Sequence, residues 1–175
     1  MEETSKNIVL VGPMGSGKTT IGRRLAHELN QDFFDTDHEI IDKTGVSIDH
    51  IFDIEGEEGF REREFKILEN LCQMSNIILA TGGGIVILLK NRKILKNAGL
   101  VVYLSSSVDQ LLRRTDKSKT RPLLENSNDR RKTITELVGV RDLYYREVAS
   151  LVIDTTGKKL NEVINIIKRE VENVE

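Results

Sequence analysis

The chain has 175 residues, of which 38% are hydrophobic and 31% are charged, and its formal net charge at pH 7 is −2. This length suits one domain with a sizeable core, and the balance of apolar and charged residues argues against intrinsic disorder. The slight acidity gives no reason to expect binding to nucleic acid or to an anionic membrane. No apolar run approaches the roughly 20 residues that cross a bilayer. We therefore expect a single domain over residues 1–175.

The start of the chain and its cysteine content bear on the cellular compartment. Residues 1–6 are polar and lack the apolar core of a secretory signal. Cys72 is the only cysteine, so the chain cannot form an internal disulfide. Both features predict a soluble protein of the reducing cytoplasm, and we expect it to be a monomer.

Short apolar strands alternate with longer amphipathic helices along the chain. The predicted strands cover residues 7–11, 33–34, 77–81, 100–104 and 151–154. This alternation predicts an α/β fold of three layers, α/β/α, with helices on both faces of a central five-stranded parallel sheet. Ligands of such folds bind at the carboxyl ends of the strands, so the loops there are the candidate sites.

The loop after the first strand, residues 12–19, reads Gly-Pro-Met-Gly-Ser-Gly-Lys-Thr and fits every fixed position of the pattern G-x-x-x-x-G-K-[ST]. An apolar strand precedes the loop, and apolar residues at helical spacing follow it. Glycines let backbone N–H groups turn toward a phosphate, and the helix N-terminus adds partial positive charge. Lys18 would reach the β- and γ-phosphates of a nucleoside triphosphate, and the Thr19 hydroxyl would ligate Mg²⁺.

Two acidic residues, Asp35 and Asp37, follow the second predicted strand. Asp35 is placed to hold Mg²⁺ through its water shell, because this ion keeps several waters. Asp37 is placed to orient or deprotonate a hydroxyl that attacks a phosphate. The alternative is that one of them, or Thr36 between them, caps the next helix, and one residue is able to do both.

Three consecutive glycines, residues 82–84, follow the third predicted strand. They cost conformational entropy, and a plain turn rarely needs all three. They favour a close approach of the backbone to a ligand, with N–H groups bonded to a polar substrate. A simple turn is the alternative.

A polar, basic stretch over residues 113–127 follows the fourth strand and its helix. In a nucleotide-binding domain such a segment predicts a lid that closes over phosphates. Arg121, next to the rigid Pro122, would direct its planar guanidinium at the transferring phosphoryl group. A solvated basic loop is the alternative, whereas RNA binding is disfavoured because aromatic residues do not alternate with the basic ones.

Two further arginines look structural from their local patterns alone. Arg61 stands among acidic residues in a predicted helix whose charges are typical of a solvated face. Arg141 and Tyr145 are one helical turn apart, which most often indicates surface packing. Cys72 shares a helix face with Phe65 and fits a small core residue.

Together these segments resemble the shikimate kinase family over nearly the whole chain. The matching segments are the phosphate loop, Asp35-x-Asp37, Gly56-Glu57-x-x-Phe60-Arg61-x-x-Glu64, the triple glycine, Arg121-Pro122-Leu123-Leu124, and Arg141 followed by Tyr145-x-x-Val148-Ala149. The resemblance implies a P-loop kinase fold with a mobile lid, like that of nucleoside monophosphate kinases. It also implies transfer of the ATP γ-phosphate to the 3-hydroxyl of shikimate in aromatic amino acid biosynthesis.

The resemblance implies roles for residues on both sides of the expected site. ATP and Mg²⁺ would be held by Gly15, Ser16, Gly17, Lys18, Thr19, Thr20, Asp35, Arg121 and Lys158. Shikimate would contact Asp37, Arg61, Gly82, Gly83 and Arg141, and the two arginines would clamp its carboxylate. Lys18, Asp37 and Arg121 would act in catalysis. These roles replace the structural interpretation of Arg61 and Arg141, and bidentate guanidinium groups do suit a small acid.

Some positions depart from the family pattern. Leu143 stands where many members have proline, and the bulky Ile85 follows the triple glycine where a small residue is usual. Lys158 is the nearest match to the arginine or glutamine that some members place against adenine.

Rival interpretations are another small-molecule kinase, such as a gluconate or nucleoside monophosphate kinase, and a nucleotide-dependent switch with no acceptor. The sequence lacks the N-K-x-D guanine-specificity motif of many switches. In a switch, moreover, the paired acids Asp35 and Asp37 would have no hydroxyl to act on. Both observations favour a kinase over a switch.

Overall fold

The structure is a computed structural model that describes residues 7–116 and 129–174. In these ranges the strands are β1 (Ile8–Val11), β2 (Asp32–Asp35), β3 (Ile77–Ala80), β4 (Leu100–Ser105) and β5 (Leu151–Asp154). The helices are α1 (Lys18–Leu29), α2 (Thr36–Thr44), α3 (Ile48–Cys72), α4 (Leu89–Leu95), α5 (Val108–Thr115), α6 (Arg130–Val148) and α7 (Leu160–Val174). Each predicted strand agrees with the observed one to within one residue at either end.

The described strands form one sheet in the order β2-β3-β1-β4-β5, and every neighbouring pair is parallel. β1 lies at the centre, and all four of its residues are buried. A strand buried on both faces reads as a continuous apolar run, which explains the sequence Ile-Val-Leu-Val. The predicted five-stranded parallel sheet is confirmed.

A hydrophobic core lies on each face of the sheet, because successive side chains of a strand point to opposite faces. Val9 and Val11 of β1 pack with residues of α2, α3, α4 and α6. Ile8 and Leu10 pack with residues of α1 and α7 on the other face. Helices therefore cover both faces, and the predicted three-layer α/β/α arrangement is confirmed.

The topology brings the candidate loops to one edge. The loops after β1, β2 and β3 all leave the carboxyl ends of parallel strands that are adjacent in the sheet. The chain turns to opposite sides of β1 to form β3 and β4, which is the arrangement that opens a crevice for ligands. α3 reaches the same edge after a kink at Gly56, whose φ of 69° and ψ of −177° interrupt the helix.

Cys72, at the end of α3, lies partly buried against the core on the α3 face, as predicted. Burial raises the pKa of its thiol to about 11, which keeps it in the unreactive protonated form. None of the helices in the described ranges combines the length and the apolar character needed to span a membrane. Of the predicted lid, residues 113–127, the described residues include only the first four, and Arg121 lies outside them.

Candidate active site

The phosphate loop connects β1 to α1. Gly15 and Gly17 have φ values of 82° and 95°, a left-handed conformation that favours glycine. Gly17 precedes α1, and no side chain caps this helix among the described residues. The first N–H groups of α1 are thus oriented as in helices whose N-termini bind an anion.

The ammonium group of Lys18 lies inside this loop. Its Nζ donates to the carbonyl oxygens of Gly12 at 2.6 Å and Pro13 at 2.8 Å, and to Ser16 Oγ at 3.4 Å. Because Lys18 is only 8% exposed, its charge depends on these oxygens for the solvation it loses on burial. The loop therefore holds one buried positive charge at its centre.

Asp35 connects the phosphate loop to α2. Its Oδ2 accepts a hydrogen bond from Thr19 Oγ1 at 2.8 Å. Its Oδ1 accepts from the backbone N–H groups of Asp37 at 3.0 Å and His38 at 3.3 Å, so Asp35 is the N-cap of α2. The alternative left open by the sequence is thereby decided: Asp35 caps the helix with one oxygen and faces Thr19 with the other. Thr36 accepts instead from the Gly82 N–H at 2.9 Å.

A cavity of about 560 Å³ extends from the phosphate loop to α3 and α6. All of the predicted site residues that the structure describes line it: Gly15, Ser16, Gly17, Lys18, Thr19, Thr20, Asp35, Asp37, Arg61, Gly82, Gly83, Arg141 and Lys158. These residues come from positions 15 to 158 of the chain, and the parallel topology brings them together at one edge of the sheet. The remaining predicted residue, Arg121, lies outside the described ranges.

Arg61 and Glu64 of α3 and Arg141 of α6 line a second part of the cavity, which we call its acceptor end. Arg61 donates through Nη1 to Glu64 Oε1 at 2.8 Å and through Nη2 to Glu57 Oε1 at 3.2 Å. Arg61 and Arg141 are 7% and 5% exposed, and Glu64 has no exposed surface. The surface interpretation of the two arginines, drawn from helical spacing alone, is therefore wrong. Both are buried and face the cavity.

Two buried carboxylate oxygens in this cavity, Asp37 Oδ1 and Glu64 Oε2, accept no hydrogen bond from any described residue. Burial, reinforced by the charge of Asp35, raises the pKa of Asp37, although Lys18 and Arg61 act in the opposite direction. Burial also raises the pKa of Glu64 to about 7 against the opposing effect of Arg61. Raised basicity together with a vacant lone pair makes each oxygen a good acceptor for a hydroxyl group.

The triple glycine makes room for these side chains. A Cβ on Gly82 would lie 2.9 Å from Glu64 Oε2 and 3.0 Å from Asp37 Oδ1. A Cβ on Gly84 would lie 2.3 Å from a guanidinium nitrogen of Arg61, well inside contact distance. A simple turn would not explain these contacts. Gly82 and Gly84 lack a side chain where Asp37, Glu64 and Arg61 occupy the space that a Cβ would need. The bulky Ile85 that follows has no exposed surface and belongs to the hydrophobic core.

Arg114 is a cavity residue that the sequence did not single out. Its Nη1 donates to the Gly15 carbonyl oxygen at 3.2 Å, and it lines the cavity together with Lys158 and Leu160. The only sequence feature that indicated a role for Arg114 was the basic stretch that begins at Arg113. That stretch gave no indication of a contact with a loop 99 residues away.

The raised pKa of Glu64 gives a prediction about stability. Glu64 titrates near its ordinary value of 4.5 when unfolded and at about 7 when folded, so between these values the folded state binds the extra proton. The stabilisation from Glu64 is therefore fully present below about pH 4.5 and is lost as the pH rises through about 7. As the pH rises from about 4.5 to about 7, the Tm of the wild type should therefore fall relative to the Tm of Glu64→Gln. Thermal unfolding of both proteins across this range measures the difference, and a constant difference would contradict the assignment.

The parallel sheet, the phosphate loop and the adjoining acceptor cavity define a P-loop kinase fold. The chain belongs to the shikimate kinase family, since a family model described as shikimate kinase matches residues 14–172. The shikimate kinase of Thioalkalivibrio sulfidiphilus is 51% identical over 169 residues, which cover 97% of this chain and 88% of that protein. The shikimate kinase of Nitrosospira multiformis is 55% identical over 153 residues, or 87% of this chain and 77% of that protein.

Solved structures agree with this assignment. Shikimate kinase from Acinetobacter baumannii in complex with shikimate is 44% identical and superposes with a TM-score of 0.94, covering 99% of this chain and 96% of that one. Shikimate kinase from Aquifex aeolicus is 31% identical with a TM-score of 0.79, covering 95% and 96% of the two chains. The P-loop kinase fold implied by the sequence resemblance is confirmed.

Proposed function

We propose that the chain transfers the γ-phosphate of ATP to the 3-hydroxyl of shikimate, giving shikimate 3-phosphate and ADP in chorismate and aromatic amino acid biosynthesis. The observation that carries the proposal is the acceptor end of the cavity, where buried arginines and unpartnered buried carboxylate oxygens meet. Guanidinium groups suit the carboxylate of a small acid, and carboxylates suit its hydroxyl groups. The relative from A. baumannii, solved with shikimate, supports the same acceptor.

In the proposed complex Arg61 and Arg141 bind the carboxylate of shikimate, and a backbone N–H of the triple glycine adds a hydrogen bond. Asp37 accepts a hydrogen bond from the 3-hydroxyl and thereby orients the hydroxyl oxygen toward the γ-phosphate of ATP. The basicity that burial gives Asp37 equips it to take the hydroxyl proton as the new P–O bond forms. Phosphoryl transfer depends mainly on such positioning and on charge stabilisation.

The donor half binds the phosphates of ATP through the N–H groups of residues 12–19 and the start of α1. Lys18 would leave the carbonyl oxygens of the loop and bind the β- and γ-phosphate oxygens. Lys158 and Arg114 line the same cavity, and we expect them to lie next to the base. Arg121 closes on the phosphates from the predicted lid over residues 113–127. The lid, the single domain over residues 1–175, the monomeric state and the cytoplasmic location stay predictions from the sequence.

Mg²⁺ is the cofactor that fits the residues next to the phosphate loop. The Thr19 hydroxyl and the Asp35 carboxylate are hard oxygen donors, and their oxygens lie 2.8 Å apart. Mg²⁺ binds with few protein ligands and keeps several waters, so Thr19 would ligate the ion directly and Asp35 through water. When bound, the ion neutralises charge on the β- and γ-phosphates.

The test of the function is an ADP-release assay with purified protein, ATP and Mg²⁺. We expect rapid release when shikimate is added and only slow release without it, because water is poorly positioned at Asp37. Gluconate and a nucleoside monophosphate serve as the rival acceptors. Release with either of them at the rate seen with shikimate would reject the proposed substrate.

A further inference from the structure

We propose that Tyr145, which does not line the acceptor cavity, is a positioning residue that fixes the triple-glycine loop for shikimate; this inference rests on the proposed function. Tyr145 has no exposed surface. Its hydroxyl donates to the carbonyl oxygen of Gly83, 62 residues away in the chain. Arg141, one turn earlier on α6, lies beside the same glycine, since a Cβ on Gly83 would be 3.7 Å from Arg141 Nη1.

The direction of this bond is set by the chemistry of the partners. A carbonyl oxygen only accepts, so the Tyr145 hydroxyl donates its proton to Gly83. Burial raises the pKa of Tyr145 to about 12, so the hydroxyl keeps its proton at neutral pH.

The bond to Gly83 fixes the peptide group between Gly83 and Gly84, two residues that line the acceptor cavity. The Gly83 carbonyl and the Gly84 N–H belong to one planar peptide unit, so fixing the carbonyl fixes the opposite direction of the N–H. Glycines on both sides leave this unit unusually free to rotate. A rotated peptide would present a carbonyl oxygen next to Arg61 and Arg141, where it would compete with and repel the substrate carboxylate. The Tyr145 hydroxyl opposes that rotation.

A neighbouring tyrosine provides a matched control. The ring of Tyr103 packs beside that of Tyr145, with centroids 4.9 Å apart and planes tilted by 31°. The Tyr103 hydroxyl, however, donates to Asp142 Oδ1 at 2.8 Å, and neither residue lines the acceptor cavity. Replacing either tyrosine by phenylalanine removes one hydroxyl bond and keeps the ring stack. The two substitutions differ in which partner loses the bond.

The experiment compares Tyr145→Phe and Tyr103→Phe with the wild type by steady-state kinetics and by calorimetric titration with shikimate. In Tyr145→Phe we expect the KM and Kd for shikimate to rise about tenfold, the effect expected when a buried polar group loses its partner. The KM for ATP should stay within about twofold of the wild type, because the phosphate loop keeps its own hydrogen bonds. Tyr103→Phe should lose comparable thermal stability but keep its affinity for shikimate.

Unchanged shikimate affinity in Tyr145→Phe would overturn the inference. So would equal rises in the KM for both substrates, or an equal loss of shikimate affinity in Tyr103→Phe, because each indicates general loosening of the fold. A wild-type protein that neither binds nor phosphorylates shikimate would instead reject the proposed function. The two failures are therefore distinguishable.

Discussion

Asp37→Asn is expected to lower kcat for shikimate phosphorylation by about 10²-fold or more, while the KM for ATP changes little. Asparagine keeps the shape of the side chain but removes its negative charge and its basicity. The substituted side chain could no longer accept the proton of the 3-hydroxyl, and its amide group could present a donor where an acceptor is needed. The loss therefore falls on the chemical step.

The structure separates this effect from a loss of helix stability. Asp35 caps α2, and the side chain of Asp37 makes no capping bond to the helix. Asp42→Asn, the same change at an exposed position of the same helix, is the matched control. We expect it to leave kcat within about twofold, as is usual for a surface substitution. Steady-state kinetics of both variants measures the comparison, and a kcat for Asp37→Asn near that of the wild type would reject Asp37 as orienting group and base.

The fold was largely predictable because its signals are local. The strands of a buried parallel sheet are short apolar runs, so Ile8–Val11 and Ile77–Ala80 stand out from the polar residues around them. The phosphate loop was equally predictable, since its glycines and Lys18 are constrained by backbone geometry within eight residues. Neither feature depends on distant parts of the chain.

The two arginines of the acceptor half were predictable only through the family resemblance. Helical spacing shows which residues share a face, but it does not show what that face packs against. Arg61 and Arg141 therefore looked like surface residues, although tertiary packing buries both. Arg114 was missed for the same reason, because its contact with Gly15 joins segments far apart in the chain.

The triple glycine illustrates the same limit in a different way. From the sequence it indicated a close approach between backbone and ligand. In the structure Gly82 and Gly84 also leave the space occupied by Asp37, Glu64 and Arg61, which come from two other elements. A composition rule identifies the absence of side chains, but only the fold identifies the neighbours that need the space.

Gly84→Ala is accordingly expected to lower kcat/KM for shikimate by about 10²-fold while the protein still folds. The added Cβ would lie 2.3 to 2.5 Å from the three outer guanidinium atoms of Arg61, so that group has to move by about 1 Å. The end of an arginine side chain moves at small cost in stability. The substrate clamp, however, depends on its position, and a displacement of this size is large for a bound carboxylate.

Gly139→Ala tests whether the effect comes from space rather than from the loss of a glycine. Gly139 is exposed on α6, and apart from its chain neighbours and the backbone of the helix itself a Cβ there would meet no atom within 4 Å. Alanine at this helical position should raise the Tm slightly and leave kcat/KM unchanged. Kinetics with shikimate and with ATP, together with thermal unfolding, would separate the two variants. If Gly84→Ala retained its kcat/KM for shikimate, the guanidinium of Arg61 would not need its observed position, and the proposed clamp would rest on Arg141 alone.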